Sequence, residues 1–199
     1  MTTEETWQAI QYERETLVEY LETLDEETWL LPSRRTGWTV KQLVAHIILE
    51  SYYTVPVILR YIIQARFDTN KFMDICAREY AKLYEPAEML YELELVANER
   101  CKPYGISPTE VLIDLWIHKQ DIAQATGSTP KLQPKQIHVM LDYIVRNPRS
   151  HGLKVIGIAQ KLRAQSYRVT DYDNLVIGQG KNVLDVTAAQ LLSLLINFK

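Results

Sequence analysis

Two apolar segments of the chain carry ionisable residues at positions where a buried helix would face its neighbours. The first segment, WTVKQLVAHIILE, contains His46 and, four residues later, Glu50. The second, EVLIDLWIHKQDI, contains Asp114, His118 and Asp121. Burying such groups without partners costs on the order of several kcal/mol, so hydrogen bonds, ion pairs or a metal ion must compensate. These five residues are therefore the first candidates for chemistry.

The spacing in the second segment places its polar residues on one side of a helix. Leu115 and Ile122 follow the spacing of a core stripe, and Asp114, His118 and Asp121 fall within the same stripe. Residues four apart are neighbours on a helix surface, so the Asp114 carboxylate and the His118 imidazole can point at one position. Asp121 lies one turn further along. The segment thus predicts an inward-facing pair with a second carboxylate nearby.

A metal site is one interpretation of this pattern. A bundle core can assemble a site from facing helices, and His46 is an interior residue of the first segment. Two histidines and one carboxylate, with a position left for water or substrate, form a ligand set known from catalytic zinc sites and compatible with other divalent metals. The alternative is a hydrogen-bonded core His46 and a simple ion pair between Asp114 and His118.

Other kinds of site have weaker support in the sequence. His138 and His151 have no inward-facing acidic partner at helical spacing, so we expect them at the surface. Cys76 and Cys101 form no CxxC motif and are expected to be free thiols. The chain contains no Gly-rich phosphate loop and no GxSxG motif.

The first 127 residues predict four main helices. Capping-box patterns open three of them, at Thr2 with Glu5, at Thr39 with Gln42, and at Ser107 with Glu110. The predicted helices are 3–24, 39–66 with a bend at Pro56, 86–101, and 108 to just before Gly127.

The rest of the chain predicts a different architecture. A helix fits 134–145, after which alternating residues predict two short strands joined by a turn at DYDN, followed by a final helix over 187–196. We therefore predict an α+β protein, with a four-helix bundle in residues 1–150 and a small α+β domain in residues 151–199.

The charge and hydropathy of the chain argue against two classes of binding partner, nucleic acids and membranes. The net charge is −3 and no basic stripe is present, which argues against nucleic acid as a partner. No apolar run is long enough to cross a membrane, and the segment MTTEETW does not resemble a signal peptide. We therefore expect a cytoplasmic protein with small-molecule partners and no membrane association; the sequence does not predict its oligomeric state.

These segments resemble a known family. The stretch TWLLPSRRTGWTVKQLVAHI (28–47) resembles the first signature of the mycothiol-dependent maleylpyruvate isomerase family, within the DinB-like metal-binding bundles. The stretch DLWIHKQDIAQATG (114–127) looks like its second signature. The tail KLRAQSYRVTDYDNLVIGQGKNVLDVTAAQLLSLL (161–195) is similar to its C-terminal domain, which is related to sterol carrier proteins.

The resemblance implies a function and a ligand set. It implies a divalent metal, with zinc ahead of nickel, iron or manganese, held by His46, Asp114 and His118. It also implies chemistry on mycothiol or another low-molecular-weight thiol, in an isomerase or transferase. Asp121 and Glu50 would then orient the ligating residues without binding the metal themselves. The catalytic residues are not predicted.

The chain departs from the family pattern in two places, at residue 114 and at residues 198–199, and these departures leave an alternative function open. Isomerase members typically carry Glu where this chain has Asp114, and relatives often end in Gly-Arg where this chain has Phe198 and Lys199. The alternative is a non-catalytic protein that binds a small molecule or a partner and retains a degenerate metal site.

Overall fold

The structure is a computed structural model that describes residues 2–52, 55–128, 133–147, 158–172 and 175–196. The chain divides into two compact units, residues 2–130 and residues 131–199. The described residues contain ten helices and one three-stranded sheet, which confirms the predicted α+β class.

The first unit is helical. Its elements are α1 (Thr3–Leu21), α2 (Glu26–Trp29), α3 (Val40–Tyr52), α4 (Val55–Gln64), α5 (Thr69–Leu83), α6 (Pro86–Ala97) and α7 (Pro108–Ala125). The capping boxes predicted at Thr2, Thr39 and Ser107 are all formed, because each needs only side chains three residues apart on the same turn.

Four of these helices pack together as the predicted bundle. Helix α1 packs against α6 and α7, and α3 packs against the same two helices. Their contact faces supply fully buried residues such as Leu17, Leu43, Leu93 and Leu112. The helices α3 and α7 that carry the candidate site residues are therefore held side by side.

Two features of the first unit differ from the prediction. Helices α2 and α5 are additional. The helix predicted over 39–66 is described as α3 and α4, with residues 53 and 54 outside the described part of the chain, and α4 ends at Gln64, before Arg66 and Phe67 adopt positive φ values of 55° and 63°. Helix α5 packs on α3 through Phe72, Cys76 and Ala77.

The second unit combines helices with a small sheet. Its elements are α8 (Pro134–Arg146), α9 (Ile158–Ala164), β1 (Ser166–Val169), β2 (Leu175–Ile177), β3 (Val183–Val186) and α10 (Ala188–Ile196). Strands β1 and β2 pair antiparallel with Arg168 opposite Val176, as the predicted hairpin requires. Strand β3, which the sequence did not predict, pairs parallel to β1, so the strand order is β2-β1-β3.

The boundary between the units lies at residues 130 and 131, whereas the sequence led us to expect it at 150 and 151. Helix α8 accounts for the difference, because it packs against α10 of the second unit. The apolar face of α8, with Met140, Leu141 and Ile144 fully buried, belongs to that core.

None of the helices in the described parts of the chain is both long enough and apolar enough to cross a membrane.

Candidate metal centre

Helices α3 and α7 bring His46 and His118 face to face. Both side chains are buried, with residue exposures of 2% and 4%. Their rings meet edge to face with centroids 4.8 Å apart. Asp114, one turn before His118 on α7, completes the group and its side chain is 26% exposed. The three residues in which the sequence predicted a ligand set therefore lie together.

Their donor atoms converge. Asp114 Oδ2 lies 3.2 Å from His118 Nε2 and 3.6 Å from His46 Nε2. One donor atom from each of the three residues lies within 4.8 Å of the other two. Among the residues that the structure describes, this is the group of histidine, cysteine and carboxylate side chains with the spacing of a metal site.

Several polar atoms of the group are buried without a hydrogen-bond partner. These atoms are His46 Nδ1, Asp114 Oδ2 and His118 Nδ1. Native proteins rarely leave such atoms unsatisfied. Of the three, Asp114 Oδ2 is the atom that faces the Nε2 nitrogens of both histidines, and an ion bound there would satisfy it. The donor set of two imidazole nitrogens and one carboxylate oxygen is also the chemistry that zinc and similar cations prefer.

Asp121 and Glu50 lie at the edge of the group, on opposite sides. Asp121 Oδ2 is 3.7 Å from His118 Nδ1, the ring nitrogen that faces away from Asp114. Glu50 Oε1 is 3.9 Å from His46 Nε2, and the Glu50 side chain is 15% exposed. Neither distance is a hydrogen bond.

Burial and charge shift the pKa values of these groups in opposite directions. Burial lowers the pKa of His46. Burial opposes the charged form of His118 too, but the carboxylates of Asp114 and Asp121 outweigh it and raise the His118 pKa to about 10. Burial alone would raise the pKa of Asp114, yet the two histidines hold it well below its usual range. The metal-free group thus contains a His118–Asp114 ion pair beside a neutral His46.

Glu50 differs from the other carboxylates of the group. Burial and the neighbouring Asp114 carboxylate raise the pKa of Glu50 well above its usual range. The Arg14 guanidinium acts in the opposite direction. Glu50 is therefore disposed to be protonated when the group holds no cation.

The sequence analysis missed three residues around the group. Trp38 contacts His46 edge to face at 5.6 Å between centroids, and the Arg35 guanidinium lies 3.7 Å above the Trp38 ring. Arg14 is only 1% exposed and donates to the backbone oxygens of Val96 and Glu99. The available signal for Arg14 was its position between Ile10 and Leu17 in the apolar stripe of α1.

Of the two remaining histidines, the structure describes only His138. His138 is on α8 in the second unit, where its ring packs on Tyr172 with centroids 4.6 Å apart. It is partly buried, which differs from the surface position expected, because Tyr172 covers one ring face. His151 lies outside the described residues.

Comparison with solved structures identifies the fold. The chain superposes on the crystal structure of the mycothiol-dependent maleylpyruvate isomerase with a TM-score of 0.60, covering 98% of this chain and 89% of that one at 13% identity. A crystal structure of a histidine-to-alanine mutant of that isomerase matches with a TM-score of 0.55, the same coverage and 14% identity. No family model and no curated protein sequence matches the chain. The resemblance stated from the sequence is thus confirmed at the level of the fold.

Proposed function

We propose that this protein is a divalent-metal-dependent transferase or isomerase that uses a low-molecular-weight thiol. The observation that carries the proposal is the convergence of His46, Asp114 and His118 in the interior of the helical bundle. Three such donor side chains that converge in the interior of a protein are more typical of a metal site than of a core in which every polar group is hydrogen-bonded.

The spacing of the donor atoms fits a small cation. Two ligand atoms each about 2.1 Å from a tetrahedral metal lie about 3.4 Å apart. The distances from Asp114 Oδ2 to the Nε2 atoms of His118 and His46 are 3.2 and 3.6 Å, close to this value, and one donor atom from each of the three residues lies within 4.8 Å of the other two. We assign the ligand role to these three residues and place zinc first, with nickel, iron and manganese as alternatives.

A bound divalent metal would hold a thiol as its thiolate at neutral pH and so supply a nucleophile. The residues of the chain prepare this position. Asp121 Oδ2 lies 3.7 Å from His118 Nδ1, where its charge would favour a proton on Nδ1 and leave the Nε2 lone pair for the metal. The Trp38 ring against His46 and the surrounding apolar residues exclude water from one side.

The solved isomerase supports the thiol part of the proposal. Its name states a dependence on mycothiol, and nearly the whole of this chain shares its fold. Reduced low-molecular-weight thiols are maintained in the cytoplasm, and we place the protein there. The free thiols Cys76 and Cys101 agree with a reducing compartment.

Metal content and thiol binding can be tested separately. The untagged protein, dialysed without chelator, is expected to contain about one divalent metal per chain, and His46→Ala is expected to lose it. His138→Ala is the matched control, since His138 lies outside the group, and it should retain full occupancy. Retention of metal in His46→Ala would overturn the ligand assignment.

Thiol binding is then measured from the absorption spectrum of the cobalt-substituted protein. Addition of mycothiol should produce a thiolate-to-cobalt charge-transfer band, and addition of its S-methylated form should not. A protein that binds cobalt through these residues but shows no such band with mycothiol, glutathione or cysteine would be a metal protein without thiol chemistry. That result would favour the non-catalytic binding protein over the enzyme.

A further inference from the structure

A surface cavity of about 370 Å³ lies along helix α6. Its lining consists of Tyr84, Ala87, Glu88, Tyr91 and Glu92. Two aromatic rings and two carboxylates thus border one small space. None of these residues belongs to the candidate metal centre, and this cavity plays no part in the proposed function.

A further tyrosine, Tyr80, packs against the aromatic part of the cavity. The Tyr84 ring packs on the Tyr80 ring with centroids 4.5 Å apart and planes inclined by 34°. Tyr91 is 61% exposed, which leaves its ring accessible to a ligand. Stacking restricts the Tyr84 ring, so little entropy is lost when a ligand contacts it.

Neutral donors orient the two carboxylates. Glu88 Oε2 accepts a hydrogen bond of 2.8 Å from the backbone N–H of Glu85, and Glu92 Oε2 accepts one of 2.8 Å from the Tyr52 hydroxyl. Within the described part of the chain neither carboxylate forms an ion pair. Each carboxylate thus accepts a hydrogen bond from a neutral group and keeps its charge without an ion-pair partner in the described part of the chain.

The tyrosines around the cavity experience this negative potential. Burial raises the pKa of Tyr80, and the Glu92 carboxylate raises it further. Burial and the hydrogen bond to Glu92 likewise raise the pKa of Tyr52 to about 12. A potential that disfavours a phenolate attracts a cation.

We propose that this cavity binds a small organic cation of the alkylammonium class. The faces of Tyr84 and Tyr91 would contact the alkyl groups through cation–π attraction, while Glu88 and Glu92 balance the charge. A metal ion fits less well, because the lining offers aromatic faces in place of further oxygen ligands. The cavity lies near the lower end of the sizes usual for small-molecule sites, which suits a trimethylammonium-sized group.

The first test compares a cation with its neutral isostere on the unmodified protein. Choline and 3,3-dimethylbutan-1-ol have the same shape and differ in charge. Titration of protein with ¹³C-labelled tyrosine, followed by NMR, should show saturable shifts with choline and at least about tenfold weaker binding of the neutral alcohol. Equal binding of the two, or no saturable shift with choline, would overturn the proposal.

Variants then locate the site. Tyr91→Ala and Glu92→Gln should each weaken choline binding by about tenfold, within the range that one cation–π contact or one nearby charge supplies. Tyr91→Phe keeps the ring and should bind nearly as well as the unmodified protein. The controls are Tyr104→Ala, a tyrosine that is 86% exposed, and Glu94→Gln on the same helix. Unchanged affinity in both Tyr91→Ala and Glu92→Gln would contradict the assignment.

A last comparison separates the two sources of such a cation. An acetylated trimethyllysine amide presents the same head group at the end of a side chain. Tighter binding of choline indicates a free metabolite, and tighter binding of the lysine derivative indicates a modified side chain. Both results retain the alkylammonium class, whereas failure of both ligands to bind rejects it.

Discussion

Replacement of Asp114 by glutamate tests the assignment of the metal centre most directly. Glutamate is the residue that the resemblance led us to expect at this position. On the present backbone, however, Asp114 Oδ2 already lies 3.2 and 3.6 Å from the two Nε2 atoms, against about 3.4 Å for ideal ligands. The shorter side chain is therefore matched to this pair of helices, and we expect Asp114→Glu to weaken metal binding.

The size of the effect follows from the packing of the helices. One additional methylene lengthens the side chain by about 1.5 Å towards the imidazoles. Helices α3 and α7 cannot easily separate to admit it, because Leu43, Ile47 and Leu115 around the group are each no more than 2% exposed. Excess volume in a packed interior typically costs about 1–3 kcal/mol. If this cost falls on the metal-bound state, affinity drops by roughly 5- to 150-fold.

The assay is competition for zinc against a chromophoric chelator at fixed pH. Asp114→Asn provides the lower limit, since it removes the charge without adding volume, and Asp142→Glu on α8 provides the matched control for the same exchange away from the group. Thermal unfolding of the metal-free proteins checks that each variant is folded. Zinc binding by Asp114→Glu at least as tight as that of the unmodified protein would refute the reasoning from distance and packing.

Four further predictions concern the support of the site, the stability of the bundle and the chemistry of Cys76. Asp121→Asn should lower metal affinity by about 10- to 100-fold, as is usual when the partner of a ligating histidine is altered, and the same zinc competition measures it. Lys119→Ala should lower the free energy of unfolding by about 3–5 kcal/mol in urea, because it leaves the buried Glu13 carboxylate without the ammonium 2.5 Å away; restoration by Glu13→Gln in the same chain would show that the lost pairing is the cause. Cys76 is 5% exposed and burial raises its pKa to about 11, so iodoacetamide at pH 9 should modify the more exposed Cys101 first, as peptide mass spectrometry would report. Because the folded state keeps the Cys76 proton that an unfolded thiol loses near pH 9, the free energy of unfolding should fall as pH rises from about 9 to 11, and Cys76→Ala should reduce that fall.

Much of the helical framework could be predicted because its signals are local. A capping box such as Ser107 with Glu110 joins residues three apart, and the pairing of Asp114 with His118 joins residues four apart on one helix face. Such contacts depend on helix geometry alone. They survive in any tertiary arrangement that keeps the helix.

Helix α5 and strand β3 were missed. Helix α5 buries Phe72, Cys76, Ala77 and Ala81 at helical spacing, a pattern that we did not use when predicting helices from the sequence. Strand β3 is short, with three of its four residues exposed, and pairing with β1 alone makes it a strand. Helix α8 could be predicted as a helix, but which core its apolar face joins is decided by contacts distant in sequence.

The candidate site likewise has one part that the sequence predicts and another that depends on tertiary packing. The sequence by itself determined that Asp114, His118 and Asp121 share one face of a helix, and that His46 interrupts an apolar helix elsewhere in the chain. Only the packing of α3 against α7 decided that the His46 imidazole lies 3.6 Å from the Asp114 carboxylate. The physical reason is that helical periodicity sets the positions of residues within a turn or two, whereas the approach of residues 68 positions apart depends on how side chains across both helices interlock.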